Sequence, residues 1–219
     1  MLIDFSKCNR LIGALYSKPV KKIYHVGAHI GEEAFIYAAN KVEKVVWFEA
    51  NDSLLQSLSE NISKYDIEQF IVPYALFDEN KVLKLNVTNN FQSSSVFELD
   101  RHSAYYPQII VSEIKEVQAY RLDSLIEAKQ CHLPWIDFDF INIDTQGSEL
   151  AVLKGLGNYI SQQSLKGIFL EVNSESLYKG IPLVSEIDEF LARHSFFRVL
   201  TNWTKEGWGD AFYLKSVTL

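Results

Sequence analysis

Apolar positions recur along the chain in two rhythms, helical spacing and short continuous runs. Cys8, Leu11, Ile12 and Leu15 keep the helical spacing, and with Pro19 following they predict a packing helix over residues 5–17. KKIYHVGA then reads as a strand, followed by a helix from about Gly31 to Ala39. KVVWFEA (44–50) is a short apolar run that ends in a carboxylate. Asp52 offers an N-cap to a helix with Leu55, Leu58, Ile62 and Tyr65 on one face. QFIVPYALF (69–77) predicts a third strand, and VLKLNVT (82–88) alternates as a half-exposed strand should. Residues 89–118 lose the rhythm: the segment is polar and irregular, with SSS and YYP inside it. FDFINID (138–144) reads as a buried strand and SELAVLKGLGNYI as a helix closing near two glycines. GIFLEV (167–172) repeats the strand theme. Pro182 opens a helix with Val184, Ile187, Leu191 and His194 on one face, and FFRVLTNW with DAFYLKSV predicts a hairpin.

Strand and helix alternate, and the interior strands are apolar on both faces. That pattern predicts an α/β fold, a parallel sheet with helices on both sides. Ligands of such sheets sit beyond the carboxyl ends of the strands. The positions to inspect are therefore residues 25–31, 49–51, 74–78, 144–146 and 171–173, each a polar stretch directly after an apolar run.

Composition narrows the options. With 219 residues, 47% hydrophobic and 22% charged, the chain can bury a full core as one domain. A formal net charge of -7 and the lack of a Lys/Arg cluster weigh against nucleic acid as a partner. Cys8 and Cys131 stand far apart and outside any Cys-x-x-Cys, so they signal neither zinc nor dithiol chemistry. They read as two buried thiols in a reducing cytosol, with a structural pair as the alternative. MLIDFSKCNRL carries Asp4 and no long apolar core, and no run approaches the ~18 apolar residues of a membrane span. The expectation is a soluble cytoplasmic protein.

At the strand ends, Gly27 and Gly31 allow a sharp turn and a close ligand, and Glu49 lies 18 residues past Gly31. A carboxylate there can accept hydrogen bonds from both hydroxyls of a ribose. A dinucleotide fingerprint would want glycine where His29 stands, because a ring crowds a pyrophosphate; S-adenosylmethionine has no phosphate. A Tyr-x-x-x-Lys dyad, Tyr37–Lys41, falls in the first helix after the glycine turn, too early for a reductase pair. His25 and His29 have ligand spacing for a helix but span a strand and a turn, so their rings need not converge. Asp137 and Asp139 begin a strand that Asp144 ends, so no metal is expected.

HVGAHIG, WFEAN, VPYALFDEN, an RLDSL that ends a strand, and FINIDTQGSELAVLKG, in this order across roughly residues 21–173, resemble the FkbM-type S-adenosylmethionine-dependent methyltransferases. The last piece is the most specific: a strand, Asp-x-x-Gly, a Glu and a Leu-Lys-Gly helix end. The resemblance implies a Rossmann-like class I methyltransferase fold: a seven-stranded, mostly parallel sheet, helices on both faces and an antiparallel final strand. It also implies methyl transfer to oxygen, commonly a hydroxyl of a sugar or a polyketide-like natural product. The family usually begins its first motif with Asp and has Asn before the last glycine of the turn, where this chain has His25 and His29. Carried over by position, Gly27, Ala28 and Gly31, with His25 and His29, would face the methionyl portion. Glu49 would take the ribose, Ala50 and Asn51 would lie beside the adenosine, and Tyr74, Ala75 and Leu76 would line the adenine. Asp144 would stand near the methyl donor or the incoming hydroxyl. Gln146 and Glu149 would hold the loop in shape, with stabilisation of the helix N-terminus as the alternative for Glu149.

The expectation is one domain, residues 1–219, with an N-terminal helical segment (1–20) and a cover over the acceptor (89–118). It would methylate a hydroxyl on a sugar, glycan or natural product, with Asp144 as first candidate base and His29 and Glu171 behind it. The rivals are a non-catalytic Rossmann-like binding domain and an NAD-dependent reductase.

Overall fold

The computed structural model describes residues 2–128, 133–134, and 136–217, so Cys131 and any pairing it makes lie outside the described residues. In chain order the elements are α1 (Phe5–Tyr16), β1 (Lys22–Val26), α2 (Ala34–Ala39), β2 (Lys44–Phe48), α3 (Leu55–Ile62), β3 (Glu68–Val72) and β4 (Ala75–Leu76). There follow β5 (Lys81–Thr88), α4 (His102–Tyr105), β6 (Val111–Tyr120), α5 (Leu122–Ala128), β7 (Phe140–Ile143) and α6 (Glu149–Gly155). The chain continues through β8 (Gly167–Asn173), α7 (Val184–Arg193), β9 (Phe196–Trp203) and β10 (Trp208–Lys215).

Seven strands form one sheet in the order β3-β2-β1-β7-β8-β10-β9. The first five run parallel; β10 enters antiparallel between β8 and β9, with Trp208 opposite Asn173. Two-sided burial explains the continuous apolar runs. Tyr24, Val26, Val46 and Phe48 point into one core layer with Leu122, Leu125, Val152 and Ile187, under α5, α6 and α7. Ile23, Val45 and Trp47 point into the other, with Phe5, Ile12, Tyr37 and Leu58 of α1, α2 and α3. Cys8 is buried in this second layer, and burial raises its thiol to about 12, so it acts as a small hydrophobe.

A second sheet, β4-β6-β5, stands beside the large one. It corrects the expectation for residues 89–118, because 111–120 is a ten-residue strand paired antiparallel with β5. VSEIKEVQAY hides its nature because most of its side chains are wet; only Val117 and Ala119 are buried. The run expected over 69–77 splits into β3 and β4 around Pro73, which has no N–H to give a ladder. The helix expected from Gly31 begins at Ala34, since Gly31 has φ +76, outside helical space. Asn51, not Asp52, caps the turn before α3: its side chain accepts from the Ser53 N–H at 3.2 Å. RLDSL, expected to end a strand, directly follows β6 and opens α5 instead; that helix and the short α4 were not foreseen.

Candidate active site

A cavity of about 540 Å³ opens beyond the carboxyl ends of β1, β2, β7 and β8. Because β10 is antiparallel, its first residues reach the same end, and Trp208 and Asp210 join the wall. Leu83, Leu85 and Val117 of the small sheet form an apolar side, and Phe91, Ser93, Val96, His102, Tyr106 and Ile109 close over it. Gly27 makes the geometry possible at φ +81. A Cβ there would stand 1.8 Å from the Asp144 carbonyl oxygen, so only glycine lets β1 and β7 converge at the rim.

The β1 turn and the end of β2 are joined through one carboxylate. Glu49 Oε2 accepts from the His29 N–H at 2.7 Å, and Oε1 accepts from the Asn51 N–H at 2.7 Å. His29 reaches this position with φ +48, in the left-handed region that non-glycine residues adopt seldom and histidine more readily than most. Each Glu49 oxygen keeps a lone pair for a further donor. Burial raises the Glu49 carboxyl above its ordinary range, opposed by these two N–H groups.

The floor is built differently. Gln146, at φ +55, donates through Nε2 to Asp144 Oδ1 at 2.7 Å and to Glu171 Oε2 at 3.1 Å. Its Oε1 accepts from the Tyr178 hydroxyl at 3.0 Å. Asp144 opens onto the cavity but is enclosed by protein on its other sides, and that burial raises its carboxyl. Glu171 is shifted much further in the same direction, first by burial and then by the charges of Asp144 and Glu149. Glu149 is not a cavity group: its Oε1 accepts from the Thr145 N–H (3.0 Å), the Thr145 hydroxyl (3.1 Å) and the Gly147 N–H (3.1 Å). It holds the loop in shape, and burial raises it to about 7. Asp210 accepts from the N–H groups of Leu2 and Ile3, which brings the N-terminal segment to the rim.

The two histidines part company. His25 Nδ1 lies 3.0 Å from the Tyr37 hydroxyl, which accepts from Asn142 Nδ2 at 2.9 Å. Asn142 Nδ2, a donor only, also lies 3.4 Å from Nδ1, so Nδ1 is assigned as the acceptor and the ring proton to Nε2, 3.9 Å from Glu33. Burial pushes His25 down to about 4, so it is neutral. His29 Nδ1 instead lies 2.8 Å from Glu32 Oε1, and that bond raises its pKa. Asp137 pairs with Lys22, and Asp139 accepts from the Lys21 and Lys22 N–H groups, at the opposite end of the sheet.

Of the residues singled out from sequence, His25, Gly27, Ala28, His29, Glu49, Ala50, Asn51, Tyr74, Ala75, Leu76, Asp144 and Glu171 all line the cavity. Gly31 does not: it packs on α3, where a Cβ would meet Ile62 at 2.6 Å. Sequence reasoning missed Tyr178 and Asp210 as wall residues. Asp210 had a usable signal, a carboxylate at the start of an apolar run in the strand expected to be antiparallel. Residues 91–109 are fastened rather than loose. Ser95 donates to the Gln146 carbonyl at 2.6 Å, and the Asp100 and His102 N–H groups donate to the Leu177 carbonyl at 3.0 Å. Six carboxylates line the cavity (Glu32, Glu33, Glu49, Asp144, Glu171 and Asp210), and among the described residues no Lys or Arg does.

Residues 25–198 match the family model described as the methyltransferase FkbM domain. The search of curated proteins finds no match. Among solved structures the chain is similar to a magnesium protoporphyrin IX methyltransferase from Synechocystis PCC 6803 with bound SAM: 8% identity, TM-score 0.54, covering 96% of this chain and 77% of that one. It is also similar to a ribosomal protein L11 methylase from Lactobacillus delbrueckii subsp. bulgaricus (15%, TM-score 0.51, 96% and 78% covered). A third is a protein of the NADB-Rossmann superfamily from Streptococcus agalactiae (14%, TM-score 0.51, 99% and 72% covered). At such identities the likeness is one of fold: the Rossmann-like fold of class I methyltransferases. No helix among the described residues is long and apolar enough to cross a membrane.

Proposed function

This chain belongs to the FkbM methyltransferase family, and from that premise we propose that it transfers a methyl group from S-adenosylmethionine to a hydroxyl of a sugar, glycan or natural product. One observation carries the reading: six carboxylates and no Lys or Arg among the described residues lining the cavity. S-adenosylmethionine carries a net positive charge, sulfonium and ammonium against one carboxylate. A nicotinamide dinucleotide would bring its anionic pyrophosphate into the same field, with like charges repelling and no Lys or Arg among the described lining residues to offset them. The same field disfavours a phosphorylated acceptor.

The residues fit this cofactor. The cavity volume of about 540 Å³ lies within the ordinary range for such sites. Glu49 offers a lone pair on each oxygen to the two ribose hydroxyls, and its carboxylate is already oriented by two backbone donors. Gly27, Ala28 and His29 would flank the methionyl portion, with His25 behind them. Asn51 would lie beside the adenosine, and Tyr74, Ala75 and Leu76 would border the adenine. S-adenosylmethionine supplies an electrophilic methyl group on sulfur. The chain then has to orient the acceptor hydroxyl in line and take its proton.

Asp144 is the best-supported base. It faces the cavity, its raised carboxyl lies closer to the working pH of a base, and Gln146 orients it. Glu171, sharing the same amide, can hold a proton beside it. His29 is the weaker candidate, because its bond to Glu32 favours the protonated ring. Residues 91–109, which close over the cavity, are the natural choosers of the acceptor, with Tyr106 held against Trp208 by a 3.3 Å hydrogen bond.

Calorimetry with S-adenosylmethionine, S-adenosylhomocysteine and NADH tests the cofactor, and a mass-spectrometric screen of hydroxyl-bearing acceptors for methylated product tests the reaction. The expected result is binding of the first two ligands and a methylated neutral acceptor. Binding of NADH alone would overturn the reading.

A further inference from the structure

Lys115 stands in the middle of β6, in the small sheet, opposite Leu85. Its ammonium reaches across to the segment after β2, where it donates to Asn51 Oδ1 at 3.3 Å, to Asp52 Oδ1 at 2.6 Å and to the Ser53 hydroxyl. The Ser53 N–H also donates to Asn51 Oδ1, at 3.2 Å. Both groups facing this end of the Asn51 amide are donors only, so the atom between them must be the oxygen. The orientation of the amide is thereby fixed by chemistry. Its Nδ2 is left on the other side, buried and without a partner, in a side chain that is 1% exposed and lines the cavity.

A buried amide donor without an acceptor leaves its desolvation uncompensated, and a ligand acceptor atom placed against it recovers that cost. Asn51 is also tied to the ribose side of the wall, since its N–H donates to Glu49 Oε1. We propose that Lys115 is a positioning residue for the cofactor. By holding Asn51 Oδ1, it presents Nδ2 as a fixed donor to an acceptor atom of the adenosine. The small sheet thus does more than supply the apolar wall of Leu83, Leu85 and Val117; it sets the polar selectivity of the adenosine subsite. This inference rests on the cofactor assignment above.

The test is calorimetric titration of wild type, Lys115→Met, Asn51→Ala and the double variant with S-adenosylmethionine and with 5′-methylthioadenosine, which keeps the adenosine and lacks the amino-acid end. Lys115→Met is expected to weaken both ligands by the same factor, about three- to tenfold. In the Asn51→Ala background the same substitution should cost nothing further, because the group it positions is gone. A general loosening of the fold would instead weaken the two backgrounds alike, and that result overturns the inference. Should Lys115→Met not fold, Lys115→Gln, which keeps the stem and removes the charge, is read by the same criterion. Wild-type protein that binds S-adenosylmethionine while both Lys115 variants bind it equally well would overturn the inference alone. Failure of wild type to bind would overturn the cofactor assignment and this inference with it.

Discussion

The wall at β1 and β2 and the floor at β7 and β8 both present carboxylates to one cavity, but they satisfy them by different means. Glu49 receives one backbone N–H on each oxygen, at 2.7 Å in both cases. Asp144 and Glu171 divide a single side-chain amide, Gln146 Nε2, at 2.7 and 3.1 Å. Backbone donors belong to the turn and cannot leave, so the wall holds one orientation and suits a binding contact that must be the same each cycle. An amide on a rotatable side chain leaves two raised carboxyls close together with few donors, which suits a group that must gain and lose a proton. Burial raises both groups; the donors around them separate their roles.

The sharpest way to break this contrast is Asp144→Asn. The substitution keeps the shape and the Gln146 neighbour but removes the base, so turnover should fall by about 10²–10⁴-fold while S-adenosylmethionine affinity changes little. Paired steady-state kinetics and calorimetry read the two quantities separately. A variant that keeps full turnover would return Asp144 to a structural role.

Glu149 supplies the next test, because it sits in the floor yet is satisfied like the wall. All three of its bonds go to Oε1, an atom that Glu149→Gln retains and Glu149→Ala removes. The alanine variant should lose about 2–4 kcal/mol of stability, since two backbone donors of the loop lose their acceptor. The glutamine variant should stay near wild type in chemical denaturation. Equal losses in the two would show that charge, not the acceptor atom, is what the loop requires.

Glu49→Ala tests the wall itself. It should weaken S-adenosylmethionine by about 1.5–3 kcal/mol, the range for a hydrogen bond to a charged group, with thermal unfolding nearly unchanged. Unchanged affinity in calorimetry would remove Glu49 from the ribose contact.

The same physical difference governs what could be read from sequence. KVVWF, FINI and GIFLEV were legible because strands buried on both faces must be continuously apolar, and their polar ends then marked Glu49, Asp144 and Glu171. Strand β6 was not legible, because its pairing with β5 rather than its own burial makes it a strand: Val111 and Ile114 are exposed. Lys115 was lost with it. Tyr178, His102 and Trp208 meet only through long-range closure of separate loops, which local periodicity does not encode. Asp210 is the instructive miss, since reversing one strand brings its beginning, not its end, to the cavity.

The smallest expected effect concerns pH, and it sets His25 against Glu149. The Glu149 carboxyl is raised from 4.5 to about 7, so its stabilising contribution is full below pH 4.5 and is lost as pH rises through 7. His25 is lowered from 6.5 to about 4, so its contribution is full above pH 6.5 and is lost as pH falls through 4. Between pH 4.5 and 6.5 the two slopes oppose each other. Glu49, Asp144, Glu171 and Asp210 are raised like Glu149, so the protein without ligand should lose stability as pH rises from 5 to 7, with His25 blunting the fall. His25→Gln should be less stable throughout, because the Tyr37 hydroxyl loses the imidazole acceptor and keeps only its bond from Asn142, but its decline should be steeper. The added slope cannot exceed about 1.4 kcal/mol per pH unit, the limit for one titrating group. Glu149→Gln should make the decline shallower by a similar amount. Urea denaturation at pH 5, 6 and 7 reads all three slopes. Parallel curves for wild type and both variants would mean that neither group changes its affinity for a proton on folding, and that burial at these two sites is relieved by water.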